Sequence, residues 1–286
     1  MAEDRERPTF VDALAAWCVV PYDDRQRTPQ ERADALSRLG IDALAWDWRD
    51  EHVDEFGAQL DTLAASNLGL AAIWAPAIPI DGTDGTLSPA LESQVREASG
   101  RGLTPQLWAC AEFGAPGPVT EPGDPAEFAD RLEPLARLSQ ELGMTLALYN
   151  HLGWFGEPLN QLRVLEELAT RGFTNTGLAY MQHHGHAHID NFAELWPRIQ
   201  DRVVALGLNG MRDGAHWGDG KVLPYGHGSR DLELARVIAD SGWHGLTATI
   251  GHTMDDIELR IRDNLEGLDW IARALSASVP NPRWPH

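Results

Sequence analysis

The sequence predicts an α/β fold, a single-domain (β/α)8 TIM barrel. Three observations predict it. Short, continuously apolar runs alternate with amphipathic helical stretches along the 286 residues. Eight such units of about 30–35 residues come to about 250 residues, the size of this barrel. The rival, an open doubly wound sheet, would usually carry a glycine-rich phosphate turn after its first strand. Here that place holds Pro21-Tyr22-Asp23-Asp24.

The eight strand candidates are Trp17–Val20, Ile41–Trp46, Leu68–Trp74, Leu103–Ala111, Met144–Tyr149, Thr176–Met181, Val203–Leu208 and Leu246–Ile250. None alternates polar and apolar residues. Continuous apolar strands are what a parallel sheet covered on both faces requires. Helices between them are marked by their starts. Thr28-Pro29-Gln30-Glu31 supplies an N-cap, a proline at the first helical position and an acidic residue at the third. Asp124-Pro125-Ala126-Glu127 repeats it, and Ser88-Pro89 is a partial copy. Gly40, Gly143, Gly172 and Gly242 follow periodic stretches as helix stops. The stripes Val53/Phe56/Leu60/Leu63/Ala64, Phe128/Leu132/Leu135/Leu138/Leu142 and Ile257/Ile261/Leu265/Leu268 each give a helix one apolar face. No linker or low-complexity block interrupts the pattern. One domain over 1–286 is expected, with the barrel at about 16–275 and a tail at 276–286. The proline-rich end, Pro280 to His286, reads as a frayed end or a contact in a homo-oligomer.

Composition excludes several functions. Acidic residues number 43 and basic residues 23, a formal charge of −20. Nucleic-acid binders need a basic footprint on phosphates, and anionic membranes attract basic segments. Neither partner fits. Lys221 is the single lysine. That argues against Schiff-base chemistry, and Val222 after it excludes a Walker-type phosphate loop. Cys18 and Cys110 form neither a C-x-x-C nor a disulfide framework, so a reducing compartment is expected. Met1 to Pro8 is charged and no apolar leader follows. No run approaches the roughly 18 apolar residues of a membrane span. The expectation is a soluble, cytoplasmic protein.

Barrel enzymes place their chemistry at the C-terminal ends of the strands. Here strand 2 ends in Asp47-Trp48-Arg49, strand 4 in Glu112 and strand 5 in Asn150-His151. Strand 6 ends in Gln182-His183-His184-Gly185-His186, strand 7 in Asn209 and Arg212, and strand 8 in His252-Thr253. Six of the 11 histidines (His151, His183, His184, His186, His188 and His252) fall near the ends of strands 5, 6 and 8. Polar loops explain the Asp and Arg residues; they explain this concentration of imidazoles less well. His184 and His186 are expected to point inward, and His188 to be structural. Trp154, in the loop after strand 5, could stack on a sugar face or pack on the barrel rim. Trp46, Trp48, Trp74 and Trp108 also lie at strand ends, some of them as core. Gly226-His227-Gly228-Ser229 is a weak candidate for an anion nest at a helix start.

With these residues in view, the chain resembles the xylose isomerase-like TIM-barrel superfamily from about Trp17 to Ala274. Leu148-Tyr149-Asn150-His151 looks like that family's strand-5 pattern of apolar, Glu, Asn, His. Gly177 to His184 looks like its strand-6 pattern. Leu223-Pro224-Tyr225-Gly226-His227-Gly228 looks like its Pro-x-Gly-x-Gly segment after strand 7. The resemblance implies a sugar isomerase or epimerase, and it carries Asn150, His151 and His184 over as pocket residues. It also implies a divalent metal held by Glu, Asp, His and Glu at the ends of strands 5 to 8. Those positions are here Tyr149, Met181, Gly207 or Asn209, and Gly251 or His252, so the carboxylates are gone. The multi-zinc set of the family's endonuclease branch is missing too.

Three readings follow. The first is proton transfer next to the carbonyl of a sugar or keto-sugar, by an isomerase, an epimerase or a related lyase or hydratase. His151, His184 and His252 would carry the catalysis, because the reaction needs a base near neutral pKa and a donor for the enolate oxygen. Asp47, Trp108, Glu112, Asn150, Trp154, Gln182, His186, Asn209 and Arg212 would bind the substrate. The second keeps a divalent metal on nitrogen ligands from His183, His184, His186 and His252. The third is a carbohydrate-binding barrel without turnover. In each, the partner is a small carbohydrate.

Overall fold

The structure is a computed structural model, describing residues 5–47, 49–78, 87–113, 122–216 and 218–277. Eight strands close a parallel barrel in sequence order: β1 Val11–Trp17, β2 Ala43–Asp47, β3 Gly69–Pro76, β4 Gln106–Cys110, β5 Leu146–Tyr149, β6 Thr176–Met181, β7 Val203–Leu208 and β8 Gly245–Ile250. β8 closes the ring on β1, with Leu14 to Trp17 opposite Thr247 to Ile250. The strands following β5 lie where the apolar runs put them. β1 does not, and the barrel starts earlier than residue 16. The expected strand Trp17–Val20 cannot continue as one, because Cys18 takes a left-handed φ of 58° and turns the chain out of the sheet. β4 also starts later than Leu103. The Leu103 amide donates to Ala98 O at 3.0 Å, which closes the preceding helix.

The helices are α1 Pro29–Leu39, α2 Phe56–Ala65, α3 Pro89–Gly100, α4 Pro125–Glu141, α5 Gly153–Gly156, α6 Pro158–Thr170, α7 Phe192–Ile199, α8 Asp231–Asp240 and α9 Ile257–Ser276. Their starts follow the sequence signals. Thr28 and Glu31 form a reciprocal capping box on α1, and the Asp124 side chain accepts from Ala126 N on α4. Gly40 ends α1 at φ 72°, a conformation a side chain would strain. The stripe beginning at Val53 starts instead in a 3-10 turn, Asp50–Glu55, before α2. No helix among the described residues is long and apolar enough to cross a membrane. The expected tail contact at Pro280 to His286 lies outside the described residues.

Apolar side chains sort into two cores. The larger lies between the sheet and the helices and is rich in Leu, Ile and Phe. The smaller fills the barrel itself. There the strands offer alanine (Ala15, Ala45, Ala72, Ala147, Ala179 and Ala248 among them), and the space they leave is filled by Trp17, Trp108, Tyr149 and Met181. Trp17 and Trp108 meet edge to face at 5.2 Å, with Tyr149 at 6.1 Å from Trp17. Large rings against small staves pack the barrel axis and set a floor under its mouth.

Two contacts tie the loops above that floor. Arg27 is buried and bridges Asp23, on the β1 side, to Asp256, on the β8 side, at 2.6 and 2.5 Å. Asp23 thus closes the ring of loops and does not face the mouth. α9 also carries Asn264, whose Oδ1 accepts from Tyr225 N at 2.9 Å. One turn on, Gly267 leaves no room for a side chain: a Cβ there would lie 1.6 Å from Tyr225 O. The loop between β7 and α8 therefore rests directly on α9.

Candidate active site

The strand ends converge on a cavity of about 240 Å3 at the C-terminal mouth. Its walls are His151 from the end of β5, His183 and His184 from the 3-10 turn Gln182–His184 after β6, and His252 after β8. Asp47, at the last position of β2, and Arg49 face them, with Cys18 and Tyr22 from the β1 loop. Trp17 and Tyr149 form the floor, and Trp74 and Phe113 the rim. Phe113 is 57% exposed and sits 5.0 Å from the His151 ring, as a flat wall onto which a ligand can slide.

The imidazoles lie close together, with their planes tilted. His183 and His184 are 3.8 Å apart between ring centres, and His151 and His184 4.5 Å. Two tyrosines address them. The Tyr149 hydroxyl lies 3.3 Å from His183 Nε2, and the Tyr22 hydroxyl 3.0 Å from His252 Nε2. The Nδ1 atoms of His151, His183 and His184 have no hydrogen-bond partner among the described residues. Burial is the largest cause holding these rings below the ordinary imidazole value; neighbouring imidazoles and the Lys221 ammonium add to it for His183 and His184. His252 is pushed down to about 4. The cluster is therefore uncharged at neutral pH. Each ring offers one N–H donor and one lone pair.

Asp47 is the carboxylate of this cavity. Burial pushes its pKa up to about 6, against the opposing pull of Arg49. All its contacts fall on one oxygen: Oδ2 takes Arg49 Nε at 3.3 Å, Arg49 Nη2 at 3.2 Å and the Cys18 thiol at 3.8 Å. Oδ1 has no partner among the described residues and is left for a ligand. Burial pushes the Cys18 thiol well up, so it stays protonated as a donor.

Of the residues the sequence singled out, His151, His184, His252 and Asp47 share this cavity. Several others do not, and each has a physical reason. Trp108 is fully buried below the floor, its indole N–H held by Gln106 Oε1 at 2.9 Å. Trp154 packs outward on α4, stacked at 5.2 Å on Phe128, and offers no face to a sugar. Glu112 accepts from Phe155 N at 2.9 Å and so fastens the α5 turn. Asn150 ties β5 to β6 by accepting from Met181 N at 2.7 Å and donating to Met181 O at 3.2 Å. Gln182 is buried away from the cavity. His186 Nε2 and Asn209 Nδ2 both approach Lys221 O, at 3.0 and 3.4 Å, so they position the β7 loop. Arg212 opens onto a neighbouring cavity described below. His188 is paired with Glu157 at 3.0 Å, as a structural histidine. Trp46 packs on Phe56 in the outer core, and Trp48 lies outside the described residues.

The nest at Gly226 to Ser229 is also corrected. Gly226 N and Gly228 N both donate to Asp231 Oδ2, at 2.7 and 2.9 Å. The chain's own carboxylate fills the nest, and no external anion can enter. Cys18, Tyr22 and Tyr149 are cavity residues to which sequence reasoning assigns no role; His183 enters there only as a metal ligand, and Arg49 only as a strand-end polar residue. Tyr149 stands beside the assigned Asn150 and two residues before His151, which is a local signal for it; Tyr22 meets His252 across 230 residues, and no local signal points to it.

The donor set does not fit the divalent metal that the resemblance implies. Among the described residues, no three His, Cys, Asp or Glu side chains are arranged to hold a metal ion. His186 is turned to Lys221 O, and tyrosines occupy His183 and His252. A metal on His183, His184, His186 and His252 is therefore not supported by this arrangement.

The sequence matches no family model and no curated protein. Solved structures do match the fold. The IOLI protein, crystallised with a zinc atom, superposes with a TM-score of 0.67 at 12% identity, over 91% of this chain and 98% of that one. A 3-keto-D-glucoside 4-epimerase from E. coli matches at 0.64 and 13%, over 91% and 98%. A xylose isomerase domain-containing protein from Salmonella typhimurium matches at 0.65 and 12%, over 96% and 100%. The fold is that of the xylose isomerase-like barrels.

Proposed function

We propose that this chain is an isomerase- or epimerase-like enzyme, moving a proton next to the carbonyl of a sugar or keto-sugar at the barrel mouth. The observation carrying this reading is the meeting of one buried carboxylate, Asp47, with four neutral imidazoles in one cavity. The epimerases among the structural neighbours support the substrate class.

The reaction needs a base for the carbon acid and a donor for the oxygen. An imidazole whose conjugate acid lies near 4, as at His252, is a weak base at neutral pH. Asp47, at about 6, is the better matched, so the base role expected of the histidines moves to its free Oδ1. The carboxylate takes the proton from the carbon beside the carbonyl. That electron pair forms the C=C bond, and the C=O pair moves to oxygen. A neutral imidazole, His184 or His151, donates its N–H to the growing oxyanion, as neutral rings can in other barrels. If the enediol turns its opposite face to Asp47 before the proton returns, the product is an epimer. Return to the neighbouring carbon, with the hydroxyl proton passed to the oxyanion through an imidazole, gives an isomer. Trp74 and Phe113 supply apolar faces for the C–H side of a sugar ring.

The test is hydrogen–deuterium exchange at the carbon next to the carbonyl across a panel of keto-sugars. Wild type should exchange at least one of them, and Asp47→Asn should lose about 10²–10⁴ in rate. Absence of exchange across the panel overturns the reading.

A further inference from the structure

A second cavity, of about 510 Å3, lies beside the first, between the loops after β7 and β8. His252 belongs to both walls. We infer that this cavity binds an anionic group of the substrate, a carboxylate or a phosphate, held by Arg212 and Lys221 while the reacting carbon lies in the histidine cavity. The substrate class rests on the proton-transfer reading above; the anion site stands on its own geometry.

Three cations line this space: Arg212, Lys221 and Arg260. In a chain of net charge −20 that is a local inversion. Several arginines on the outer helices are neutralised by neighbours, as Arg96 is by Glu92 and Glu141, and Arg171 by Asp130 and Glu133, while Arg163, Arg198 and Arg236 do not line this cavity and, like Arg212, make no ion pair among the described residues. Arg212 forms no ion pair among the described residues, although it is exposed and next to Asp213 in sequence. Arg260 is shared with Asp255 at 2.5 Å, and Asp219 stands at the exposed rim. An incoming anion thus meets the exposed Arg212 first, with the buried Lys221 and the Asp255-paired Arg260 further in.

The loop is shaped to present these groups. Gly220 has a φ of 100°, and a Cβ there would press on Arg212 Cβ at 3.0 Å. Its bareness lets the Arg212 stem lie across the loop. Arg212 N donates to Gly220 O at 2.9 Å, and Lys221 O receives His186 and Asn209. Lys221 is buried, and that burial holds its ammonium below the ordinary value. The volume falls within the roughly 300–1,000 Å3 of small-molecule sites. Guanidinium and ammonium heads together are the usual donors to carboxylate and phosphate oxygens.

The test is calorimetric titration of the full chain with inorganic phosphate and, separately, with D-gluconate, at constant ionic strength set by chloride. Saturable binding of at least one is expected, weakened tenfold or more in Arg212→Gln and in Lys221→Met. Arg137→Gln, an equal charge change on α4, should leave it unaltered. Phosphate alone assigns a sugar phosphate, gluconate alone a sugar acid, and both a site for either. Arg212 is exposed, so its replacement tests the site without disturbing the core. If neither anion saturates, or if the two cavity variants bind as wild type does, the inference falls. Because the readout is binding, it separates from the exchange experiment: an anion bound without exchange on any keto-sugar keeps this site and removes the proton-transfer reading.

Discussion

The two cavities at the mouth share His252 and differ in nearly everything else. The first is walled by side chains from the strand ends or within a few residues of them, and its imidazoles are neutral. The second is made by loops, carries three cations and keeps one arginine without an ion pair among the described residues. The difference follows from where each sits. Strand ends are buried by the barrel floor, and burial removes charge from imidazole while raising the pKa of the Asp47 carboxyl to about 6. Arg212 stays in water, where full charge costs little, while Lys221 keeps its charge against partial burial. A substrate lying across both would have its reacting carbon in the neutral chamber and its charge in the other.

The sharpest way to break this division is at Asp47. Asp47→Asn should remove about 10²–10⁴ of the exchange rate while the melting temperature holds or rises, since a buried carboxylate leaves. In the wild type, exchange should climb as pH rises through about 6, because the base must be ionised, and level off above. A rate that instead levels off already above about 4, where His252 loses its proton, would hand the base role back to the histidines. Next in size, His184→Gln should cost about 10²-fold in kcat, the loss typical of one donor to an oxyanion, with KM little changed. A loss confined to KM would make His184 a binding group only. Smaller still, Arg212→Gln should raise KM for an anionic substrate about tenfold, with a much smaller change in kcat. Equal losses in kcat would merge the two chambers into one. The mildest effect is on stability. The folded state holds the histidines below 6.5, so the unfolded chain binds more protons as pH falls from 6.5 toward about 4. Stability is lost over that window, opposed in part by Asp47, whose raised value acts the other way. Melting temperature should fall by a few degrees on acidification, and His252→Gln should blunt the fall.

The same contrast explains what could be read in the sequence. The barrel was legible because its signals are local and redundant. Thr28 to Glu31 and Asp124 to Glu127 state helix starts, and β6 and β7 run over the very residues of their apolar runs. β1 was displaced because Val11 to Trp17 is alanine-rich with an aspartate, while the more apolar Trp17 to Val20 follows the turn at Cys18. The histidines at strand ends were legible for the same local reason. The direction of a side chain was not. Trp108 is one residue in strand order from facing helices, yet the pleat turns it into the barrel. Trp154 and Asn150 stand beside His151 in sequence and serve the scaffold. The filled nest depends on Asp231, three residues past Gly228, folding back onto its own loop. The cation cavity joins residues of two loops, a pairing that only the closed ring creates.

That closure sets an order in time. His252 follows the strand that pairs with β1, and Tyr22 follows β1 itself, 230 residues earlier. The Lys221 loop takes its seat on α9, where Gly267 admits Tyr225 O. A chain folded as far as β7 would hold most of its outer core but lack the Tyr22–His252 pair and the cation cavity. Contacts of such long sequence separation form late and slowly, because the loop entropy must be met first. Catalytic competence should therefore trail secondary structure during refolding, and a partly closed barrel would be a folded body without an active site.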